Sequence, residues 1–288
     1  MNGVVIRALS CAAPGLPDWP TAQAVLRGEA PCEPAELGKL KPDWLPANER
    51  RRLSQVMRLA LYVGEQALEA TDCAHDLPAS VFASSAGDGD IIHAICEELA
   101  RPAPELSPTK FHNSVHNAPA GYWAIASGAH AASSAIAAHD ASFAAGWIEA
   151  ALLTEETGAP VLLVAYDRPL PAPLDAKRHF DAPFACALLL DGDPNAEGIA
   201  RVEMDTDGNV AETTLDNPAL EALRRGNPAA RALPLLRLLA RDEAGEVILP
   251  WMSAAPLRLV LSSRRRRRGA MRRDSSMLHK SPTLNRDV

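Results

Sequence analysis

Asn117-Ala118-Pro119-Ala120-Gly121-Tyr122-Trp123-Ala124-Ile125-Ala126-Ser127-Gly128 is followed, four residues on, by Ser133-Ser134-Ala135-Ile136-Ala137-Ala138-His139-Asp140-Ala141-Ser142-Phe143-Ala144-Ala145-Gly146. It reads as a helix that starts at Asn117 and stops at Gly128, a short buried strand over 134–139, and a second helix over 141–156. Asp140 stands at the elbow between that strand and that helix. A carboxylate there faces a helix N-terminus, which favours the anion and offers the N–H groups of Ser142 or Phe143 for capping. Ala141, Ala144, Ala145 and Gly146 form a surface of very small residues, suited to close approach by a neighbouring layer or chain.

Outward from the elbow, apolar strands alternate with helices. Residues 3–9 read as a first strand, and the Pro-rich region from Pro14 to Pro46 as a loop or capping segment with little periodicity. Asn48 reads as the N-cap of a helix whose buried face is Leu53, Val56, Met57, Ala60, Leu61, Ala67 and Leu68, at three- and four-residue spacing. Arg50-Arg51-Arg52 read as its solvated start. Val81–Ser85 is a short strand, and Ile91–Leu99 a helix after the turn Ala86-Gly87-Asp88-Gly89-Asp90. No phosphate-loop pattern is present there, and Asp88 and Asp90 would repel an anion. Pro160–Asp167 is the clearest strand. A proline loop follows through Pro169, Pro171 and Pro173, then strands over Phe184–Leu190, Gly198–Met204 and Leu257–Leu261, with an interrupted helix over about 216–240 before the last. This alternation predicts an α/β layered fold, α-β-α, with a mostly buried mixed sheet.

Composition narrows the class. Hydrophobic residues make up 47% of 288, and no apolar run approaches the roughly 20 residues that span a bilayer. The start lacks the pattern of a secretory signal, so the expected location is cytoplasmic with no membrane association. Five scattered cysteines (Cys11, Cys32, Cys73, Cys96, Cys186) form no CxxC or CxxH pair, which predicts neither a metal site nor a disulfide framework. Cys186 reads as a small buried hydrophobe. Residues 264–288 carry nine Lys/Arg against two Asp/Glu; with a net charge of −7 for the whole chain, residues 1–263 carry −14. The expected organisation is a folded acidic domain over 1–263 and a disordered basic tail over 264–288. Without interleaved aromatics, and on an acidic body, that tail argues against nucleic-acid binding.

The segment around the elbow resembles the N-terminal half of β-ketoacyl-acyl-carrier-protein synthases. Asn117 and Gly121 match the helix start of that family and Gly128 the helix end. His139 matches the Ala before the nucleophilic cysteine, and Asp140 matches the cysteine itself. Most closely the chain is similar to the β-ketoacyl-synthase-like N-terminal-domain family, of the chain-length-factor type within the thiolase-like superfamily. Chain-length factors are homologues that lost the cysteine and pair with an active synthase. The resemblance implies the N-terminal half of a thiolase-like fold, ending without the second half that carries the family's catalytic histidines. None of the eight histidines stands in a comparable context.

Condensation needs a thiolate nucleophile, an oxyanion hole and a histidine pair. Aspartate at position 140 replaces the first and is a poor acyl acceptor. The implied function is a non-condensing subunit that pairs with a full-length ketosynthase, and meets an acyl carrier protein, in type II fatty acid, aryl polyene or polyketide biosynthesis. It would form a homo- or heterodimer, driven by apolar area that a half-fold leaves uncovered. No cofactor is implied. The alternatives are an acyl thioester hydrolase or acyltransferase using Asp140, with His139 or His116 as base, and a decayed pseudoenzyme. His112, His116, Asn117, His139 and Phe143 are the residues expected around a pocket at the elbow.

Overall fold

The structure, a computed structural model, describes residues 3–263 apart from 34, 72–77, 207–209 and 253–254. The expected basic tail and Cys73 lie outside the described residues. Eight strands form one sheet: β1 (Val4–Ala12), β2 (Ala79–Ala83), β3 (Ser133–Ile136), β4 (Val161–Asp167), β5 (Phe184–Asp191), β6 (Ala200–Asp205), β7 (Gly245–Met252) and β8 (Ala255–Ser263). Their order is β3-β2-β4-β5-β1-β6-β8-β7. The β2–β3 and β2–β4 pairs are parallel and the remaining pairs antiparallel.

Every residue of β4 and β5 is buried, because helices cover both faces of the sheet there. Side chains alternate between two cores, as a pleat requires. Val161, Leu163 and Ala165 join one, and Leu162, Val164 and Tyr166 the other. The first core is closed by α1 (Trp19–Arg27), α7 (Ser142–Thr157) and α9 (Leu233–Arg241), and the second by α3 (Gln55–Glu69) and α6 (Ala118–Ser127). The layered α-β-α arrangement expected from the sequence is the one observed. Trp123 and Trp147, one in each core, are fully buried. Burying a large apolar side chain contributes about 1.5–3 kcal/mol.

The small residues of α7 serve the sheet within this chain. A Cβ on Gly146 would lie 2.7 Å from Ala83 Cβ and 2.9 Å from Leu163 Cδ1, so the helix approaches β2 and β4 as closely as a glycine allows. Ala144, Ala145 and Gly146 are buried. Of the layer or chain expected against this surface, the structure shows a layer of this chain, completed by the C-terminal segment. There α8 (Pro218–Gly226), a 3-10 turn (Ala229–Ala232) and α9 bring Ala229, Ala230, Leu233 and Leu236 into the same core as Phe143 and Trp147. β7 also lies against α7 and the elbow turn.

Four local expectations differ from the structure. The Pro-rich region contains α1, capped by Asp18 through Thr21 N–H, with Gly28 ending it at a left-handed φ of 81°. Its signal was a single turn pattern of Ala22, Val25 and Leu26, too short for periodicity to register. Asn48 is not the cap of the long helix. It lies inside a one-turn helix, α2 (Ala47–Arg50), and α3 is capped by Ser54, which accepts from Met57 N–H. β7 was not foreseen, since Pro250 interrupts its apolar run. β3 ends at Ile136 rather than at 139, and it is half-exposed rather than buried because it forms the edge of the sheet.

Candidate functional site

Beyond β3 the chain runs through Ala137 and Ala138 into a 3-10 turn, His139–Ala141, and then into α7. Ser142 fastens this elbow from inside the first turn. Its Oγ donates to the His139 carbonyl at 2.7 Å and accepts from Ala138 N–H at 3.0 Å. The tight reversal puts His139 at φ 54°, a left-handed conformation that costs a residue with a side chain of order 1 kcal/mol or more.

Asp140 does not cap α7; the helix start has no side-chain cap bond. Lying inside the 3-10 turn, the carboxylate turns instead to a cation. Arg178 Nη2 donates to Asp140 Oδ1 at 2.6 Å and to Ser85 Oγ at 2.9 Å. The same guanidinium sits 4.9 Å from the centroid of the Phe180 ring, in cation–π contact. Asp140 retains 46% side-chain exposure and Arg178 24%. The elbow is thus held against two other segments, the loop after β4 and the turn after β2.

That turn is built on a buried carboxylate. Asp167, fully buried at the end of β4, accepts from Ser84 Oγ at 2.9 Å, Ser85 N–H at 2.9 Å and Ala86 N–H at 3.2 Å. Burial pushes its carboxyl up to about 7, opposed by those three donors and by the charge of Arg178. Ser84 Oγ also accepts from Gly87 N–H, and His116 Nε2 lies 3.1 Å from the Ser84 carbonyl oxygen. Asn227 closes the frame by donating to the carbonyls of Asp167 and Ala182. The turn leads into α4 (Gly89–Leu99), whose N-cap Asp88 accepts from Ile91 N–H.

The residues expected around the elbow are therefore distributed unevenly. His139 is 72% exposed, with Nδ1 3.6 Å from Asp140 Oδ2. His116 reaches the site indirectly, through the Ser84–Gly87 turn. His112 is exposed on α5 (Pro108–Asn113), its ring edge-on to Tyr122. Asn117 is exposed at the start of α6 without a side-chain cap bond. Phe143 is 1% exposed and packs beside Trp147 in the core, where it is part of the folded interior. Arg178, Ser85 and Asp167 were missed from sequence. Only Asp167 carried a signal, as a carboxylate ending the most apolar strand; Arg178 is one arginine among many, in a loop without pattern.

Among the described residues no group of three or more His, Cys, Asp or Glu side chains is placed to hold a metal ion. Nor is any helix among them long and apolar enough to cross a membrane.

No curated protein matches the chain. Solved structures match over nearly their whole length. A ketosynthase (ApeO) in complex with its chain length factor (ApeC) from Xenorhabdus doucetiae gives a TM-score of 0.67 at 24% identity, covering 90% of this chain and 99% of the matched one. The ishigamide ketosynthase/chain length factor gives 0.65 at 15%, covering 90% and 99%. A type II PKS acyl-carrier protein in complex with its ketosynthase bound to the hexaketide (AntDE:AntF) gives 0.68 at 11%, covering 91% and 99%. At these identities the likeness is one of fold, the thiolase-like fold of ketosynthases. The sequence adds a match between residues 19–245 and the family described as "Beta-ketoacyl synthase, N-terminal domain". With well over half its length so matched, the chain belongs to the β-ketoacyl synthase N-terminal domain family.

Proposed function

We propose that this chain is a non-condensing β-ketoacyl synthase-like subunit that pairs with a full-length ketosynthase, in the manner of a chain-length factor. The observation that carries this reading is the ion pair at the elbow. A nucleophile must be free to attack, and must become an acyl carrier stable enough to react onward. Asp140 satisfies neither condition. It is engaged by Arg178 at 2.6 Å, and an acyl–carboxylate anhydride would hydrolyse before a carbanion reached it. At the position that the resemblance assigns to the nucleophile, the carboxylate is ion-paired with Arg178.

The surface next to the elbow favours a protein partner. Among the described residues β3 has one strand neighbour, β2, and forms an edge of the sheet, the kind of edge that can take another strand. α6 lies against β3, and α4 against α5. These helices and the segments between them expose Ile92, Leu99, Leu106, Phe111, Val115 and Ile125. α4 has no buried residue despite its apolar content. Exposed apolar side chains on these segments suit a protein interface. The occupant we assign is a full-length synthase, with the growing chain delivered by an acyl carrier protein in a fatty acid, aryl polyene or polyketide pathway. The likeness to ketosynthase–chain length factor and ketosynthase–carrier assemblies supports that choice.

The test is incubation with acyl-carrier and CoA thioesters, alone and with a candidate synthase, read by intact-protein mass spectrometry and product analysis. The expected result is no acyl adduct and no thioester hydrolysis by the chain alone. Hydrolysis abolished by Asp140→Asn would instead establish an acyl thioester hydrolase.

A further inference from the structure

A cavity of about 360 Å³ lies between the Pro-rich segment, the start of α3 and the residues bordering β4 and β5. This is the size of a small-molecule site. Leu37 and Leu40 of the segment, Leu59 of α3 and Pro183 give it apolar walls. The charged residues that line it are Lys39, Arg58 and Arg168, all cations, in a chain whose net charge is −7.

The cations differ in how they are held. Arg58 donates to the Arg50 carbonyl and Arg168 to Gln55 Oε1, so both are fixed in place. Arg168 Nε is buried without a hydrogen-bond partner among the described residues. Burial lowers the Arg168 guanidinium from its ordinary range, opposed by the charges of Asp90 and Asp88 nearby. Lys39 is exposed and has no partner among the described residues. The segment that carries it is anchored by Glu65 of α3, whose carboxylate accepts from Asp43 N–H at 2.7 Å and Trp44 N–H at 3.2 Å. Two of the three cations, Arg58 and Arg168, are therefore held by hydrogen bonds, and Lys39 borders the cavity from an exposed position.

From this geometry we infer that the cavity binds a small amphipathic organic anion, an acyl or aryl carboxylate whose head meets Lys39, Arg58 and Arg168 and whose apolar body lies on Leu37, Leu40 and Leu59. The inference does not depend on the partner role proposed above. It does place the ligand one residue from the site frame. Arg168 follows Asp167, and Asp167 holds the turn whose Ser85 meets Arg178.

The probe is octanoate, with octanol and inorganic phosphate as controls, measured by titration calorimetry on the full chain. Octanoate should bind saturably at one site, at least roughly tenfold tighter than either control, because head and body each contribute. Lys39→Gln, an exposed change that leaves the fold alone, should weaken octanoate without altering the unliganded melting temperature. Adding Arg168→Gln should weaken it further, to at least roughly tenfold in all. Octanol binding as tightly as octanoate would reduce the cavity to an apolar patch. Phosphate binding as tightly would reduce it to an anion patch. Undiminished affinity in Lys39→Gln and in the double variant would likewise overturn the assignment.

Discussion

Asp140 and Arg178, 38 residues apart in the chain, meet at 2.6 Å and join the elbow before α7 to the loop after β4. Each is partly exposed, so solvent screening limits the value of the pair to about 1 kcal/mol or less. Arg178 does more than pair, since it also holds Ser85 and lies over Phe180. Asp140→Asn should therefore cost little in urea unfolding. Arg178→Ala should cost about 1–3 kcal/mol through the lost charged hydrogen bonds and ring contact. A larger loss from Asp140→Asn than from Arg178→Ala would mean that the carboxylate has a structural partner other than this arginine.

Stability should depend on pH in an unusual direction for carboxylates. Burial pushes Asp167 up to about 7 and Glu65 up to about 7, Glu65 also under the charges of Glu69 and Asp43. In the unfolded chain both return to about 4. Between these limits the folded state holds more protons than the unfolded one, so stability falls as pH rises. These two groups contribute fully below about pH 4 and lose that contribution as pH passes about 7. Urea midpoints between pH 5 and 8 should decline for the wild type and decline less for Asp167→Asn. A wild-type midpoint that climbs over this range would contradict the assignment.

Gly146 sets the distance between α7 and the sheet. A methyl group there would press on Ala83 Cβ and Leu163 Cδ1, neither of which can swing away from a fully packed core. Gly146→Ala should destabilise by about 1–3 kcal/mol, although alanine is the better helix former. A neutral or stabilising result in thermal unfolding would show that the layers are looser than described.

What the sequence revealed followed from repetition. The buried runs at 161–167 and 184–190, the spaced apolar face of α3 and the small residues of α7 each repeat one physical requirement several times. From them the layered fold and the elbow at Asp140 were legible. Features that rest on single residues were not. Ser54 as the cap of α3, Arg178 as the partner of Asp140 and Asp167 as the anchor of the Ser84–Ala86 turn each act through one contact between segments distant in sequence. The edge position of β3 was hidden for another reason. Ser133–Ile136 is short, and exposure of a strand depends on which strands find its neighbours, a property of the whole sheet.

If this chain acts by pairing with a condensing enzyme, light scattering on an equimolar mixture with a full-length synthase from the same organism will show the pair. A one-to-one complex is predicted. It should be lost in the double variant Phe111→Glu, Ile125→Glu, whose parent side chains are 64% and 55% exposed and whose replacement should leave the melting temperature unchanged. Elution of the wild-type chain apart from every full-length synthase of its source would contradict the claim.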